Sequence, residues 1–177
     1  LLRRHLPKPN NLPEPISSFV GRQAQRNLVH NKLMQSDTRL LTLSGPGGTG
    51  KSRLALRVAR DLLPEFSDGA FFFAMASITD QSTVPGTIAS ILGIKQADGK
   101  TIEDTLLDEL NNKSMLLVLD NIDRVPQVGN FINKLLTSCQ AVKVLVTSRT
   151  TLKLTGAQTI KLDPFALPMR DSYEAVK

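Results

Sequence analysis

Residues Leu41–Arg60 read LTLSGPGGTGKSRLALRVAR, and this stretch decides the fold. Its first residues are apolar and have the length and composition of a buried strand. From Lys51 onward, Leu54, Val58 and, just beyond the stretch, Leu62 recur at helical spacing, with arginines on the other face. Between them, the segment from Gly45 to Ser52 is almost free of large side chains. The sequence therefore predicts a strand, a bare loop and a helix in immediate succession.

The loop matches the pattern G-x-x-x-x-G-K-[ST] at every required position. Backbone N–H groups that converge from such a loop bind phosphate oxygens, and Cβ atoms would hinder their approach. The positive end of the following helix adds to the attraction. A glycine-rich turn without a ligand is the alternative, but the strand–loop–helix context favours phosphate. The predicted nucleotide-binding residues here are Gly45, Pro46, Gly47, Gly48, Thr49, Gly50, Lys51, Ser52 and Arg53.

Two side chains of this loop and one distant carboxylate carry the predicted chemistry. Lys51 supplies a charge to the β and γ phosphates, and the Ser52 hydroxyl is a candidate Mg²⁺ ligand. Asp120 ends the apolar run MLLVLD, and a carboxylate that holds Mg²⁺ is expected at the end of such a strand in this class of site. No Asn-Lys-x-Asp run that would bind guanine is present, so the sequence favours ATP and ADP as ligands.

Four further stretches have the composition of strands, and helical patterns separate them. The five predicted strands are RLLTLS, GAFFFAMAS, SMLLVLD, AVKVLVTSR and AQTIKLDPF. Most are apolar throughout, which is typical of strands that helices cover on both sides. We therefore expect an α/β protein with the three-layer P-loop NTPase fold, in which helices flank a mainly parallel five-stranded sheet.

Composition narrows the class of protein. The chain has 177 residues, a net charge of +6, one cysteine and 41% hydrophobic residues. The longest strongly apolar run, GAFFFAMA, is far shorter than the roughly 20 residues that cross a membrane. One cysteine excludes an internal disulfide framework. With one cysteine, no signal-peptide pattern and no membrane-spanning run, we expect a cytoplasmic protein. The excess of basic residues comes without a nucleic-acid-binding motif, so we expect no direct nucleic-acid site.

Four motifs together resemble a known family. NLPEPISSFVGR, GPGGTGKSRLA, LLVLDN and VLVTSR occur in the order typical of NB-ARC ATPases of the STAND class, and most resemble those of large bacterial transcription regulators of the SARP and LuxR types. This resemblance implies that Val20, Gly21 and Arg22 border the adenine. It also implies that Arg149 reaches toward the γ-phosphate and joins Lys51 and Asp120 as a catalytic residue. The alternatives are a surface ion-pair partner for Arg149 and a helix-entry surface residue for Arg22.

The resemblance also implies a domain organisation. Residues 1–15 contain four prolines and are predicted to be a linker or surface wrap. Residues 16–165 would form the nucleotide-binding domain, and residues 166–177 the start of a helical subdomain that is cut short. Because the first residue is leucine, we expect the chain to be a piece of a longer protein. Its expected partners are the nucleotide and the DNA-binding and helical-repeat modules of that protein, with self-association linked to ATP.

One departure from fast ATPases bears on the mechanism. Asn121 follows Asp120 where fast relatives carry a glutamate that polarises water, and an amide is a poor general base. Asp123 is the nearest other carboxylate, and it could equally cap a helix. We therefore expect slow Mg²⁺-dependent hydrolysis and a nucleotide-dependent switch. An efficient ATPase or small-molecule kinase, and a scaffold that binds partners only, are the alternatives.

Overall fold

A computed structural model of the chain describes residues 7–14, 21–151 and 154–164. Val20 and residues 166–177, which carry parts of the predictions above, lie outside these residues. The helices are α1 (Gln23–Met34), α2 (Lys51–Leu62), α3 (Val84–Leu92), α4 (Ile102–Leu110) and α5 (Val128–Ser138). The strands are β1 (Leu40–Ser44), β2 (Ala70–Ala74), β3 (Met115–Asp120), β4 (Val142–Ser148) and β5 (Gln158–Lys161).

The five strands form one sheet in the order β2-β3-β4-β1-β5. Every pairing in it is parallel, so the sheet is more uniform than the mainly parallel one predicted. β4 lies between β1 and β3, which separates the strand that leads into the glycine loop from the strand that ends in Asp120. All five strands end at one edge, and this edge is where ligands bind in open parallel sheets.

Helices cover both faces of the sheet, as predicted. Leu117 and Leu119 of β3 pack into a core with residues of α3, α4 and α5. Leu116 and Val118 alternate with them and pack into a second core with residues of α1 and α2. This alternation follows from the period of two along a strand. A strand buried on both faces must be apolar at every position, and for that reason MLLVL shows no polar residue.

α2 follows the glycine loop, and both its apolar face and its basic face make contacts with the rest of the protein. Its predicted apolar residues Leu54, Val58 and Leu62 are fully buried. Its basic face is not simply solvated, because Asp61 accepts from the Arg26 Nε of α1 at 2.6 Å and lies 3.3 Å from the Arg57 Nε. The helix that begins at the phosphate loop is therefore fixed against the sheet and against α1.

Residues 7–14 run along the outer side of β2. Asn10 forms a parallel bridge with Ala70, and the Asn11 side chain bonds both the N–H of Phe72 at 2.6 Å and its carbonyl at 2.8 Å. Leu12 is buried in the core beside α2. The segment thus extends the sheet at the edge that β2 would otherwise expose. None of the helices in the described part of the chain is long and apolar enough to cross a membrane.

Candidate functional site

The glycine loop connects β1 to α2 at the carboxyl edge of the sheet. Gly48 and Gly50 have φ angles of 77° and 80°, which L side chains rarely adopt. A Cβ added at Gly47, Gly48 or Gly50 would meet no atom within 4 Å. The backbone amides of residues 47–52 donate to no acceptor among the described residues. Unpaired amides beside open space suit a ligand rich in oxygen, and the loop fits the phosphate chain of a nucleotide.

Gly45 must lack a side chain, but for a reason other than the approach of phosphate that the sequence suggested. A Cβ there would lie 2.2 Å from the carbonyl oxygen of Leu162, and its φ is 150°. The N–H of Leu162 donates to the Ser44 carbonyl at 2.7 Å and holds this segment against the end of β1. Gly45 therefore admits the chain that follows β5, whereas the later glycines leave open space.

Lys51 is buried within the loop that it follows. Its ammonium donates to the carbonyls of Gly45 and Pro46, both at 2.7 Å, and only 5% of the residue is exposed. Burial lowers the pKa of Lys51, Asp123 and Asp120 oppose that change, and Arg149 adds to it. The structure thus brings together Lys51 with two carboxylates and one guanidinium at the edge of the sheet. Lys51 therefore lies at the carboxyl edge of the sheet.

The carboxylate of Asp120 is held by two neighbours. The Thr147 hydroxyl donates to its Oδ1 at 2.5 Å, and the Asn121 amide donates to its Oδ2 at 3.0 Å. The Thr147 Oγ also accepts from the N–H of Asn121 at 3.0 Å. Asn121 has a left-handed backbone with φ of 58°, which asparagine tolerates better than most residues. Thr147 is not among the residues predicted from the sequence, although its polar side chain at the end of an apolar strand was an available signal.

Asp123 binds the end of β4. Its Oδ1 accepts a hydrogen bond from the buried Ser148 hydroxyl and another from the N–H of Arg149 at 2.6 Å. The Ser148 Oγ also lies 2.6 Å from the Thr150 carbonyl oxygen, which competes with Asp123 for the single hydroxyl proton. The Arg149 residue itself is exposed at the ligand edge. Asp123 therefore caps no helix in this structure but joins the turn after β3 to the residue after β4.

The turn before α1 contacts the segment that follows β5. Gly21 and Arg22 both have left-handed backbones, with φ angles of 81° and 55°. The guanidinium of Arg22 donates to the carbonyl of Asp163 at 2.6 Å. Asp163 follows Leu162, which contacts Gly45. Residues 162–163 thus connect this turn to the start of the glycine loop, a link that the sequence alone did not suggest.

Ser52 and Asp120 suit a hard cation. Ser52 lies in the first turn of α2 and is partly buried, whereas its neighbour Arg53 is exposed. A hydroxyl and a carboxylate are oxygen ligands of the kind that Mg²⁺ takes together with phosphate oxygens and water. No group of three or more His, Cys, Asp or Glu that could hold a metal by itself occurs in the described parts of the chain.

Comparison with known proteins identifies relatives of this chain. The chain is 37% identical over 153 residues to an uncharacterized protein of Mycobacterium tuberculosis, covering 86% of this chain and 38% of that protein. It is 30% identical over 171 residues to regulatory protein AfsR of Streptomyces griseus, covering 88% of this chain and 17% of AfsR. The chain therefore spans well under half the length of either relative.

A solved structure shares the fold. The STAND protein with a tetratricopeptide repeat sensor from Pyrococcus horikoshii superposes with a TM-score of 0.57 at 16% identity, over 85% of this chain and 24% of that one. The three-layer P-loop NTPase fold is thereby confirmed. The model of the NB-ARC domain matches residues 22–167. The chain belongs to the NB-ARC domain family.

Proposed function

We propose that this chain is the nucleotide switch of a longer signal-transducing transcription regulator, binding ATP or ADP with Mg²⁺ and hydrolysing ATP slowly. The family supports nucleotide binding in general, and the specific ligand and the switch are our inference. One observation carries the proposal: the open amides of residues 47–52 lie beside the buried Lys51, whose charge environment includes Asp120 and Arg149. Phosphate binding needs the open amides and Lys51, and a response to the γ-phosphate needs Arg149.

The switch requires that ATP and ADP make different contacts, because a ligand shifts a conformational equilibrium only by its differential affinity. Arg149 supplies the difference in this proposal. Arg149 is an exposed residue directly after β4 at the ligand edge, where only a triphosphate would extend to it. Lys51 and the loop amides bind the phosphates that both nucleotides share. Gly21 and Arg22, with Val20, border the adenine.

Slow hydrolysis follows from the residue beside Asp120. The Asn121 side chain donates to Asp120, and an amide does not accept a proton at neutral pH. In our proposal Ser52 and Asp120 would hold Mg²⁺, which supplies charge neutralisation to the phosphates. The protein groups then bind and orient the nucleotide but provide no strong base for water. An efficient ATPase would instead release phosphate faster than about 1 s⁻¹, at the lower end of working enzymes.

Relatives of this chain support a role in regulation. AfsR is named a regulatory protein, and this chain corresponds to 17% of it. We propose that DNA-binding and helical-repeat modules accompany the present domain in the intact protein, and that ATP promotes its self-association. Within the chain, residues 16–165 would be the nucleotide domain and residues 166–177 the beginning of the next subdomain.

The decisive experiment is a titration of the chain with ATP and ADP, with and without Mg²⁺, for the wild type and for Lys51→Ala. We expect the substitution to weaken binding at least about tenfold, because the phosphates lose a buried cation. Lys95→Ala is the matched control, since Lys95 is exposed after α3, beside the start of β3 and away from the loop. Absence of nucleotide binding, unchanged by Lys51→Ala, would leave only the scaffold, and fast phosphate release would favour the efficient ATPase or a kinase.

A further inference from the structure

Asp123 is a charged residue at the ligand edge to which the proposed chemistry gives no role. It belongs to the short 3₁₀ turn Ile122–Arg124 that follows β3, and it is half-buried. It is one of the two carboxylates whose charges act on Lys51. Its sequence neighbourhood leaves open whether it acts on water or caps a helix. The contacts of its carboxylate favour a third role.

Among the described residues, two donors reach Asp123, and both come from the end of β4. The Ser148 hydroxyl and the Arg149 N–H converge on the same oxygen, Oδ1. Ser148 is fully buried and is itself engaged with the backbone of Thr150, from which it also accepts a bond. The carboxylate thus fixes the backbone at the point where β4 leaves the sheet, and the side chain of Arg149 starts from that fixed point.

A second pair of residues joins the same two strand ends. Thr147 donates to Asp120 and accepts from the N–H of Asn121. Two consecutive residues of β4, Thr147 and Ser148, therefore each bond a carboxylate that follows or ends β3. This arrangement makes the ends of β3 and β4 one unit. The part of that unit that extends beyond the sheet is Arg149, and its backbone anchor is Asp123.

We propose that Asp123 is a positioning residue that holds Arg149 in place to contact the γ-phosphate and thereby sets the preference for ATP over ADP. This inference rests on the proposed function, since it assumes that Arg149 distinguishes the two nucleotides. Without the anchor, the backbone of Arg149 must be ordered when ATP binds, and ordering one or two residues opposes binding. Preorganised contacts avoid that loss. ADP, which does not reach Arg149, is unaffected by the anchor.

The test is a double-substitution cycle on residues 123 and 149. Affinities for ADP and for the β,γ-imido analogue of ATP are measured for wild type, Asp123→Ala, Arg149→Ala and the double variant, all with Mg²⁺. Arg149→Ala should lower the preference for the triphosphate about tenfold, the value of one charged hydrogen bond. Asp123→Ala should lower it about fivefold, and adding it to Arg149→Ala should change nothing further. Independent effects that add in the double variant would overturn the proposal.

Asp123→Asn separates positioning from general-base catalysis. Its Oδ1 still accepts from both donors, so the preference for the triphosphate should be retained while Asp123→Ala loses it. Ser148→Ala, which keeps the Arg149 anchor, should lower the preference less than Asp123→Ala. If Asp123→Ala fails to fold, a lowered preference in Ser148→Ala together with retention in Asp123→Asn supports the proposal, and loss in Asp123→Asn or no change in Ser148→Ala overturns it. If Arg149→Ala leaves the preference unchanged while Lys51→Ala abolishes binding, the sensor role of Arg149 fails, and this inference fails with it. If Lys51→Ala binds like the wild type, the proposed function itself fails.

Discussion

Gly50→Ala should separate the conformational role of a loop glycine from its role in phosphate binding. Gly50 has φ of 80° and ψ of 20°, and a Cβ there would meet no protein atom within 4 Å. Gly93, which ends α3, has nearly the same backbone, with φ of 70° and ψ of 21°, and the same open surroundings. It lies at the other end of the sheet, near the start of β3. The chain therefore contains its own matched control.

The structure sets the expected sizes of the two effects. An alanine in the left-handed region costs about 1 kcal/mol, so each variant should lower the melting temperature by about 2–4 °C. Only Gly50→Ala places a methyl group beside the unpaired amides of residues 47–52. Loss of one amide bond to a charged phosphate corresponds to about 1.5–3 kcal/mol, which is at least a tenfold loss of affinity. Gly93→Ala should bind nucleotide like the wild type.

The assay combines thermal melting with a titration of Mg²⁺-ATP and Mg²⁺-ADP for the three proteins. Equal melting temperatures of the two variants show that the backbone strain is matched, so any difference in affinity reports the added methyl group in the loop. Binding of both nucleotides by Gly50→Ala as tight as that by Gly93→Ala would contradict this expectation. The open side of the loop would then not be where phosphate lies.

Three further predictions concern stability, pH and accessibility. Gly45→Ala should lower stability by about 3 kcal/mol, because its Cβ would overlap the Leu162 carbonyl, and a melting temperature within about 2 °C of the wild type would contradict this. Because burial lowers the pKa of Lys51, ATP affinity should fall with rising pH at lower values than the ordinary lysine pKa of about 10.4, and titrations at several pH values should show no such fall in Lys51→Ala. Cys139 is fully buried and burial raises the pKa of its thiol, so iodoacetamide should modify the native chain only as it unfolds. Saturating Mg²⁺-ADP at about 100 times its Kd should slow that modification about 100-fold, and a rate unaffected by nucleotide would indicate local exposure instead.

The sequence by itself determined the elements and the phosphate loop. A bare loop between an apolar strand and an amphipathic helix is a local pattern, because glycine frees the backbone at its own position. The spacing of Leu54, Val58 and Leu62 likewise fixed the buried face of α2, since residues of a helix share a face at that interval. Strands that are apolar at every position predicted the parallel sheet, because strands covered by helices on both faces have this composition. Each of these features depends on neighbours within one turn or one strand.

Tertiary structure decided which distant residues meet at the edge of the sheet. The strand order places β4 between β1 and β3, and only that order brings Thr147 to Asp120 and Arg149 to Asp123. The contact of Gly45 with Leu162 likewise depends on β5 pairing with β1. A hydroxyl at the end of a strand can bond any acceptor that its neighbouring strand supplies. Local periodicity carries no information on which strand that neighbour is, because packing of the whole chain selects it.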